Sequence, residues 1–283
     1  INEIVGTGIL LILFACGLFA TFNQWANMAA SSPVIVSLCF FALIFLTSWI
    51  PSIPFDIYNT FSIEQRFGFN NTTPKTFFSD SLKELLITAI LGGGIIALLA
   101  WLYQIMQQNF WFVAWASVTS ISIFMQFFYS DLIVPLFNKQ APLPEGELRK
   151  SIEDFSRNCD FKIKDIYVID GSKRSSHANA YFTGFGSRKR IVLYDTLIEQ
   201  LSTDEIVAVL SHEIGHYKHN HLIKSMIMSL TVNLVIFYLF GLTINNTQIA
   251  QAAGCSEPSF HLNLVVFSLL LTPLNLVLNI ISN

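Results

Sequence analysis

The sequence is short of charge. Only 12% of its 283 residues are Asp, Glu, Lys or Arg, about half the share found in ordinary soluble domains, and that deficit excludes a soluble globular enzyme. Neither sign is in large excess, the formal net charge being -3, so the basic surface required for nucleic-acid binding is missing and nucleic acid is not an expected partner. Paired cysteines are missing too: Cys16, Cys39, Cys159 and Cys255 are scattered without a CxxC pair, which removes both a disulfide framework and a thiolate zinc site. Cys16 and Cys39 lie in apolar runs, as small buried thiols do. What is abundant is apolar surface, at 53% of residues with 26 Phe and a mean hydropathy of +0.54. Disorder is therefore excluded, and a multi-pass membrane protein remains.

A membrane-spanning helix needs about 20 predominantly apolar residues. Six stretches meet this, near Ile4–Phe22, Pro33–Ile53, Leu85–Tyr103, Trp111–Phe137, Leu222–Ile244 and Leu262–Ile281. The first lacks the basic flank and cleavage site of a signal peptide, so it reads as a retained helix. Basic residues are absent from the loops around Trp25, Gln107 and Asn246. Arg66, Lys75 and Lys83 follow the second span, and the remaining 13 of the 16 Lys and Arg run from Lys139 to Lys224. Six alternating spans put every basic loop on one side, which the positive-inside rule makes cytosolic. The glycosylation triplet at Asn245–Thr247 falls on the opposite side, and those at Asn70 and Asn71 on the cytosolic side; such triplets occur often by chance.

One long polar stretch interrupts this pattern, between Phe137 and Leu222. The expected organisation is four spans in 1–137, a small cytosolic-side α+β domain in 138–221, and two further spans in 222–283. Within the insert, Glu145–Asn158 has Leu148, Ile152 and Phe155 at helical spacing, and Lys164–Ile169, Ala178–Phe182 and Arg190–Tyr194 read as strands. Ser202 and Glu205 form a capping box that opens a helix.

That helix contains His212-Glu213-Ile214-Gly215-His216. At about 100° per residue the two histidines lie about 40° apart and one turn along, so both imidazoles can reach one Zn2+ ion. Glu213 is displaced from their ligand positions and suits a general base acting on water. This is peptide-hydrolysis chemistry, although HExxH by itself also arises by accident on ordinary helices. A catalytic zinc needs a third protein ligand. His219 lies about 10 Å further along the axis than His212, and His221 points to the opposite face. His261 belongs to the far side of the membrane, so the stretch 1–283 shows no convincing third ligand.

The flanking residues resemble the type I CaaX prenyl endopeptidases, integral-membrane zinc metalloproteases that cleave after prenylated cysteines. The resemblance rests on HExxH together with Lys173–Phe182, Arg190–Leu197, Pro54–Tyr58 with Glu64 and Phe67–Asn70, and Pro135–Lys139 with Pro142–Gly146. It covers about Pro54 to His216, with Tyr217 standing where the family often has Trp.

The resemblance implies a fold that is mainly α-helical and polytopic, its parent a seven-helix barrel around a water-filled chamber. It implies Zn2+ held by His212 and His216, with Glu213 as base, and a third ligand, a Glu, after the sixth span. That segment would begin about where Asn283 ends the sequence, giving the expectation that 1–283 alone binds zinc weakly and turns over slowly. Asn179, Ala180, Tyr181 and Phe182 would form the edge strand that pairs with an extended substrate.

Asn179 either donates its amide to a substrate carbonyl or caps a turn; Tyr181 is a packing aromatic or an oxyanion donor; His177 stabilises the oxyanion or, the preferred reading, caps a turn. The implied partners are the bilayer and a protein with a prenylated C-terminus. The implied location is the endoplasmic reticulum membrane in a eukaryote or the inner membrane in a bacterium, with the site on the cytosolic side. A membrane quality-control metalloprotease with non-prenylated substrates and a non-catalytic scaffold or transporter are the alternatives. Asp131, Asn275 and Asn279 within spans fit a wet interior, and helix packing explains the two asparagines equally well.

Overall fold

The structure, a computed structural model, describes the chain apart from residues 1, 107–108, 160, 162, 185–188, 219–220 and 283, and apart from the side chains of 2–7, 213, 216–218, 221–223 and 274–282. In chain order the helices before the polar stretch are α1 (Asn2–Ala15), α2 (Leu18–Ala29), α3 (Pro33–Tyr58), α4 (Pro74–Ile87), α5 (Gly93–Met106), α6 (Phe110–Leu132) and the short α7 (Val134–Phe137). The polar stretch supplies β1 (Gln140–Pro142), α8 (Glu147–Asn158), β2 (Asp165–Ile169), β3 (Ala180–Thr183), β4 (Arg190–Tyr194), α9 (Asp195–Gln200) and α10 (Thr203–Lys218). Helices α11 (His221–Thr243), α12 (Thr247–Ala252) and α13 (Phe260–Ser282) follow.

Among the described residues, four helical stretches are long and apolar enough to cross a membrane: Pro33–Glu64, Pro74–Met106, Phe110–Phe137 and Lys224–Thr243. The second span does not stop at Ile53 as expected. Pro51 and Pro54 are accommodated inside α3, and a π-helical segment at Asn59–Glu64 extends it, since membrane helices re-satisfy the backbone groups that proline frees. Another π-helical segment, Thr88–Gly92, joins α4 to α5. The first expected span is broken: α1 and α2 meet at 78°, with Gly17 between them at φ +70°, a left-handed conformation that a side chain resists. In the sixth, the described apolar stretch is Phe260–Pro273, and the side chains of Asn275 and Asn279 lie outside the described residues.

The chain divides into two compact units. The first comprises Ile1–Phe55, Ile87–Val118 and Thr231–Asn283. Lipid offers helices no hydrophobic incentive to associate, so close packing and polar contacts hold them. Phe19, Phe40 and Leu262 are fully buried in one cluster, with Phe19 and Phe40 edge to face at 6.3 Å. Phe110, Phe240 and Phe260 centre a second. His261 bonds Ser37 Oγ through Nδ1 at 3.2 Å and Asn23 Oδ1 through Nε2 at 2.9 Å. It ties α13 to α3 and α2, the polar contact that a buried imidazole between membrane helices needs.

The second unit comprises Asp56–Leu86 and Thr119–Leu230, so the compact body around the 138–221 stretch also takes in the loop after the second span. Its sheet has the order β1-β2-β4-β3. Strands β2 and β4 pair in parallel, and β1 and β3 run antiparallel at the edges. The central position of β2 and β4 explains their β-branched content: Ile166, Ile191, Val192 and Leu193 are buried. Ile152 of α8 and Ile206 and Leu210 of α10 close the same core. Strand β1 has no sequence signal beyond three residues. Helix α8 begins at Glu147 and β3 at Ala180, each two residues later than the sequence pattern suggested.

Candidate active site

Helix α10 starts where its capping residues place it. Ser202 donates its backbone N–H (2.8 Å) and its hydroxyl (2.7 Å) to the Glu205 carboxylate. These bonds, the backbone one first, hold the Glu205 carboxyl below its ordinary range. Ile206, Leu210 and Ile214 are buried at four-residue intervals, so one stripe of the helix faces the core. Position 212 lies about 160° around the axis from Leu210, and His212 is correspondingly exposed. The helix continues unbroken through 216, which sets 212 and 216 one turn apart. The side chains of Glu213, His216 and His221 lie outside the described residues, as does His219 altogether.

Among the described residues no three His, Cys, Asp or Glu groups converge on a point. The residues that the motif supplies nevertheless suit zinc: an exposed imidazole on a rigid helix, and a second histidine one turn on with no helix break between.

Helix α10 packs beside β3, and β3 lies at the edge of the sheet. Asn179, Ala180, Tyr181 and Phe182 thus fall at or immediately before an edge strand, next to the HExxH helix. Tyr194 donates its N–H to the Asn179 carbonyl at 3.0 Å, and β3 pairs Ala180 with Leu193, Tyr181 with Val192 and Phe182 with Ile191. Antiparallel pairing alternates inward and outward main-chain groups, so Ala180 and Phe182 turn theirs to the open edge. The Ala180 N–H is taken by Asn179 Oδ1 at 2.8 Å. The Ala180 carbonyl and both main-chain groups of Phe182 remain at that edge, with the Asn179 carboxamide oriented by its oxygen.

The Tyr181 hydroxyl is buried, close to the Ser130 side chain. Burial also pushes its pKa up. Both observations place the phenol within the unit. His177 is exposed, its ring stacked on Phe69 with centroids 4.2 Å apart. Its carbonyl accepts from Thr196 Oγ1 at 2.9 Å and its N–H donates to Ser175 Oγ at 3.2 Å. Its main chain is therefore held in the turn that leads into β3.

Sequence reasoning missed what holds this turn. Gly171 abuts the Tyr194 ring so closely that a Cβ would overlap it, the ring Cγ lying at 3.2 Å. Ser172 donates its N–H to Asp195 at 2.8 Å. Segment 68–72 and Asp80 grip the turn from another side. The identical Ser-Ser and Asn-Asn pairs give no periodic signal, and contacts across about 100 residues have none in a single sequence.

An apolar helical protein whose polar unit sets an HExxH helix beside an open edge strand has the architecture of an integral-membrane metallopeptidase. Residues 1–139 match a family model described as the CAAX prenyl protease N-terminal region with five membrane helices, and residues 142–283 match peptidase family M48. The chain belongs to peptidase family M48, among the CAAX prenyl proteases. It is 34% identical over 320 residues to CAAX prenyl protease 1 homolog of Mus musculus, covering 98% of this chain and 67% of that protein. It is 40% identical over 224 residues to CAAX prenyl protease 1 of Saccharomyces cerevisiae, covering 79% and 49%. The crystal structure of Ste24p from S. mikatae superposes with a TM-score of 0.90 at 34% identity, covering 96% of this chain and 68% of that one. The chain spans between about half and two thirds of the length of such curated relatives.

Proposed function

We propose that this protein is a membrane-embedded zinc endopeptidase that hydrolyses peptide bonds near the C-terminus of prenylated CaaX-type proteins, on the cytosolic side of its membrane. The observation that carries the reading is the adjacency of an unbroken HExxH helix and an open edge strand within one compact unit. The substrate class is taken from relatives named CAAX prenyl proteases.

In this mechanism an extended peptide pairs with β3 through the Ala180 carbonyl and the Phe182 main-chain groups. Strand addition straightens the peptide and fixes its register at little side-chain cost. The Asn179 amide donates to a substrate carbonyl next to the pairing segment. His212 and His216 would hold the zinc, which when bound would supply an activated water near neutral pH and polarisation of a carbonyl. Glu213 accepts the proton given up as a water oxygen bonds to the carbonyl carbon and delivers it to the amine nitrogen as the C–N bond breaks, so the base ends each turnover as it began.

The test is cleavage of a farnesylated peptide by the full-length parent protein in liposomes, wild type against Glu213→Gln, with the metal assayed in both. A loss of at least a hundredfold in kcat, on the scale of general-base removal, with zinc retained, is expected. Undiminished cleavage by the variant, or purified wild type without zinc, overturns the proposal.

A further inference from the structure

The turn that feeds β3 is fixed from two directions. From one side Thr196 and Gln200 donate to the carbonyls of His177 and Ser176 at 2.9 and 2.7 Å. From the other comes the segment after the second span. Asn71 donates its N–H to the Arg174 carbonyl (3.0 Å) and its Nδ2 to the Ser172 carbonyl (3.0 Å). Thr72 Oγ1 donates to the same Arg174 carbonyl at 3.1 Å. Ser176 donates its N–H to the Phe69 carbonyl (3.1 Å) and its hydroxyl to the Gly68 carbonyl (3.0 Å). Asn70 and Ser175 form an antiparallel bridge, and the Phe69 ring lies flat on His177.

Arg174 locks this arrangement. Its Nε and one terminal nitrogen donate to the two oxygens of Asp80 at 2.7 and 3.1 Å. The same terminal nitrogen donates to the Phe137 carbonyl (2.7 Å) and the other to Asn138 Oδ1 (2.6 Å). One planar guanidinium thus joins α4, the end of α7 and the turn before β3, with both partners of the ion pair mostly enclosed. A bidentate Arg–carboxylate pair fixes orientation as well as distance, and a lysine offers only a point charge. The partners of these bonds lie on α4, α7 and the segment around 68–72. Their shared effect is on where Asn179 and the open edge of β3 stand.

We infer that Arg174, held by Asp80 and seconded by segment 68–72, is a positioning residue for peptide binding: it sets the edge strand at the place where substrate pairs. The inference rests on the reading of β3 as the substrate strand. Strand addition depends on main-chain donors and acceptors being within hydrogen-bond distance. Releasing the turn on one side lets that edge shift while zinc binding on α10 stays intact.

The experiment uses the full-length parent protein in liposomes carrying Glu213→Gln to stop turnover, and measures the affinity of a fluorescent farnesylated peptide. Arg174→Ala and Arg174→Lys are each expected to weaken binding on the order of tenfold, as small displacements of positioning groups do. Asn71→Ala, which deletes a single side-chain bond, weakens it less. Zinc content is unchanged in all three. In chains with Glu213 restored, KM rises and kcat falls less. Unchanged peptide affinity in the two Arg174 variants, or zinc lost in step with affinity, overturns the inference. Should Arg174→Ala fail to fold, Arg174→Lys and Asn71→Ala decide it by the same measurement. A Glu213→Gln parent that binds no peptide overturns the substrate-strand reading, and the positioning role with it. Tight binding by a parent that still cleaves overturns only the role of Glu213.

Discussion

Asp131, near the end of α6, forms an ion pair with Arg190, the first residue of β4. The carboxylate that looked out of place in an apolar helix is therefore the counter-ion of the sheet. The Arg190 guanidinium also lies over the Tyr167 ring, 5.4 Å from its centroid. A helix that reads as a membrane span and the second strand of the parallel pair are thus tied within one compact unit by charge and a ring face together.

Because the Asp131 side chain is 42% exposed, solvent screening limits the pair to about 1 kcal/mol. A double-mutant cycle on Asp131→Asn and Arg190→Gln, read by thermal unfolding in detergent, is expected to show coupling of about that size, smaller at high salt. Arg190→Gln costs more than Asp131→Asn, because it also removes the contact with Tyr167. Strict additivity of the two single changes contradicts the structure here.

Asn179 gives a sharper test of the edge. Its Oδ1 accepts from Ala180, so Asn179→Asp keeps the local turn and replaces the amide donor by a carboxylate. Peptide cleavage is expected to drop by a factor on the order of a hundred, the effect of losing a charge-matched donor and leaving a carbonyl opposite an anion. The melting temperature stays near that of wild type. Equal kcat/KM for the two chains rules out the amide as a substrate contact.

Acid should loosen the start of α10. The Glu205 carboxyl is held below its ordinary value by the Ser202 N–H and hydroxyl. A lowered folded-state pKa means its contribution is complete above the unfolded carboxylate pKa, 4.5, and disappears as pH falls through the lower folded value. Thermal stability of wild type and Glu205→Gln should therefore differ at pH 7 and converge toward pH 3. A constant gap across that range shows that the carboxylate charge is not what caps the helix.

Gly171 has the Tyr194 ring where its Cβ would be. Gly171→Ala is expected to destabilise by about 1–3 kcal/mol, the usual cost of forcing atoms into a packed site. Adding Tyr194→Leu makes room and should recover part of it. If chemical denaturation finds the single variant as stable as wild type, the ring must be free to move aside.

Much of the site was legible in the sequence because it is local. A four-residue spacing, a cap three residues before a carboxylate and a run such as Arg190–Tyr194 are set by helical and strand periodicity. They located α10, β2 and β4 to within a residue and put Asn179–Phe182 against the sheet. Elements without a period escaped: β1 is three residues long, and the break at Gly17 changes the path of a helix without changing its composition. Segment 56–86, which holds the end of α3 and most of α4, carries too little patterning to announce that it folds with the polar unit.

The sequence by itself determined that the protein is a membrane protein, that its charge gathers around one polar insert, and that this insert carries the HExxH residues His212, Glu213 and His216. Those conclusions follow from apolar content and spacing, which act over a few neighbouring residues. The family resemblance implied an edge strand at Asn179–Phe182, and only the tertiary structure decided that β3 ends the sheet beside α10 and that Arg174 finds Asp80 across 94 positions. The reason is physical: an edge strand is defined by what does not pair with it, and an ion pair by which side chains the fold brings within reach. Neither property belongs to any segment of the chain taken alone.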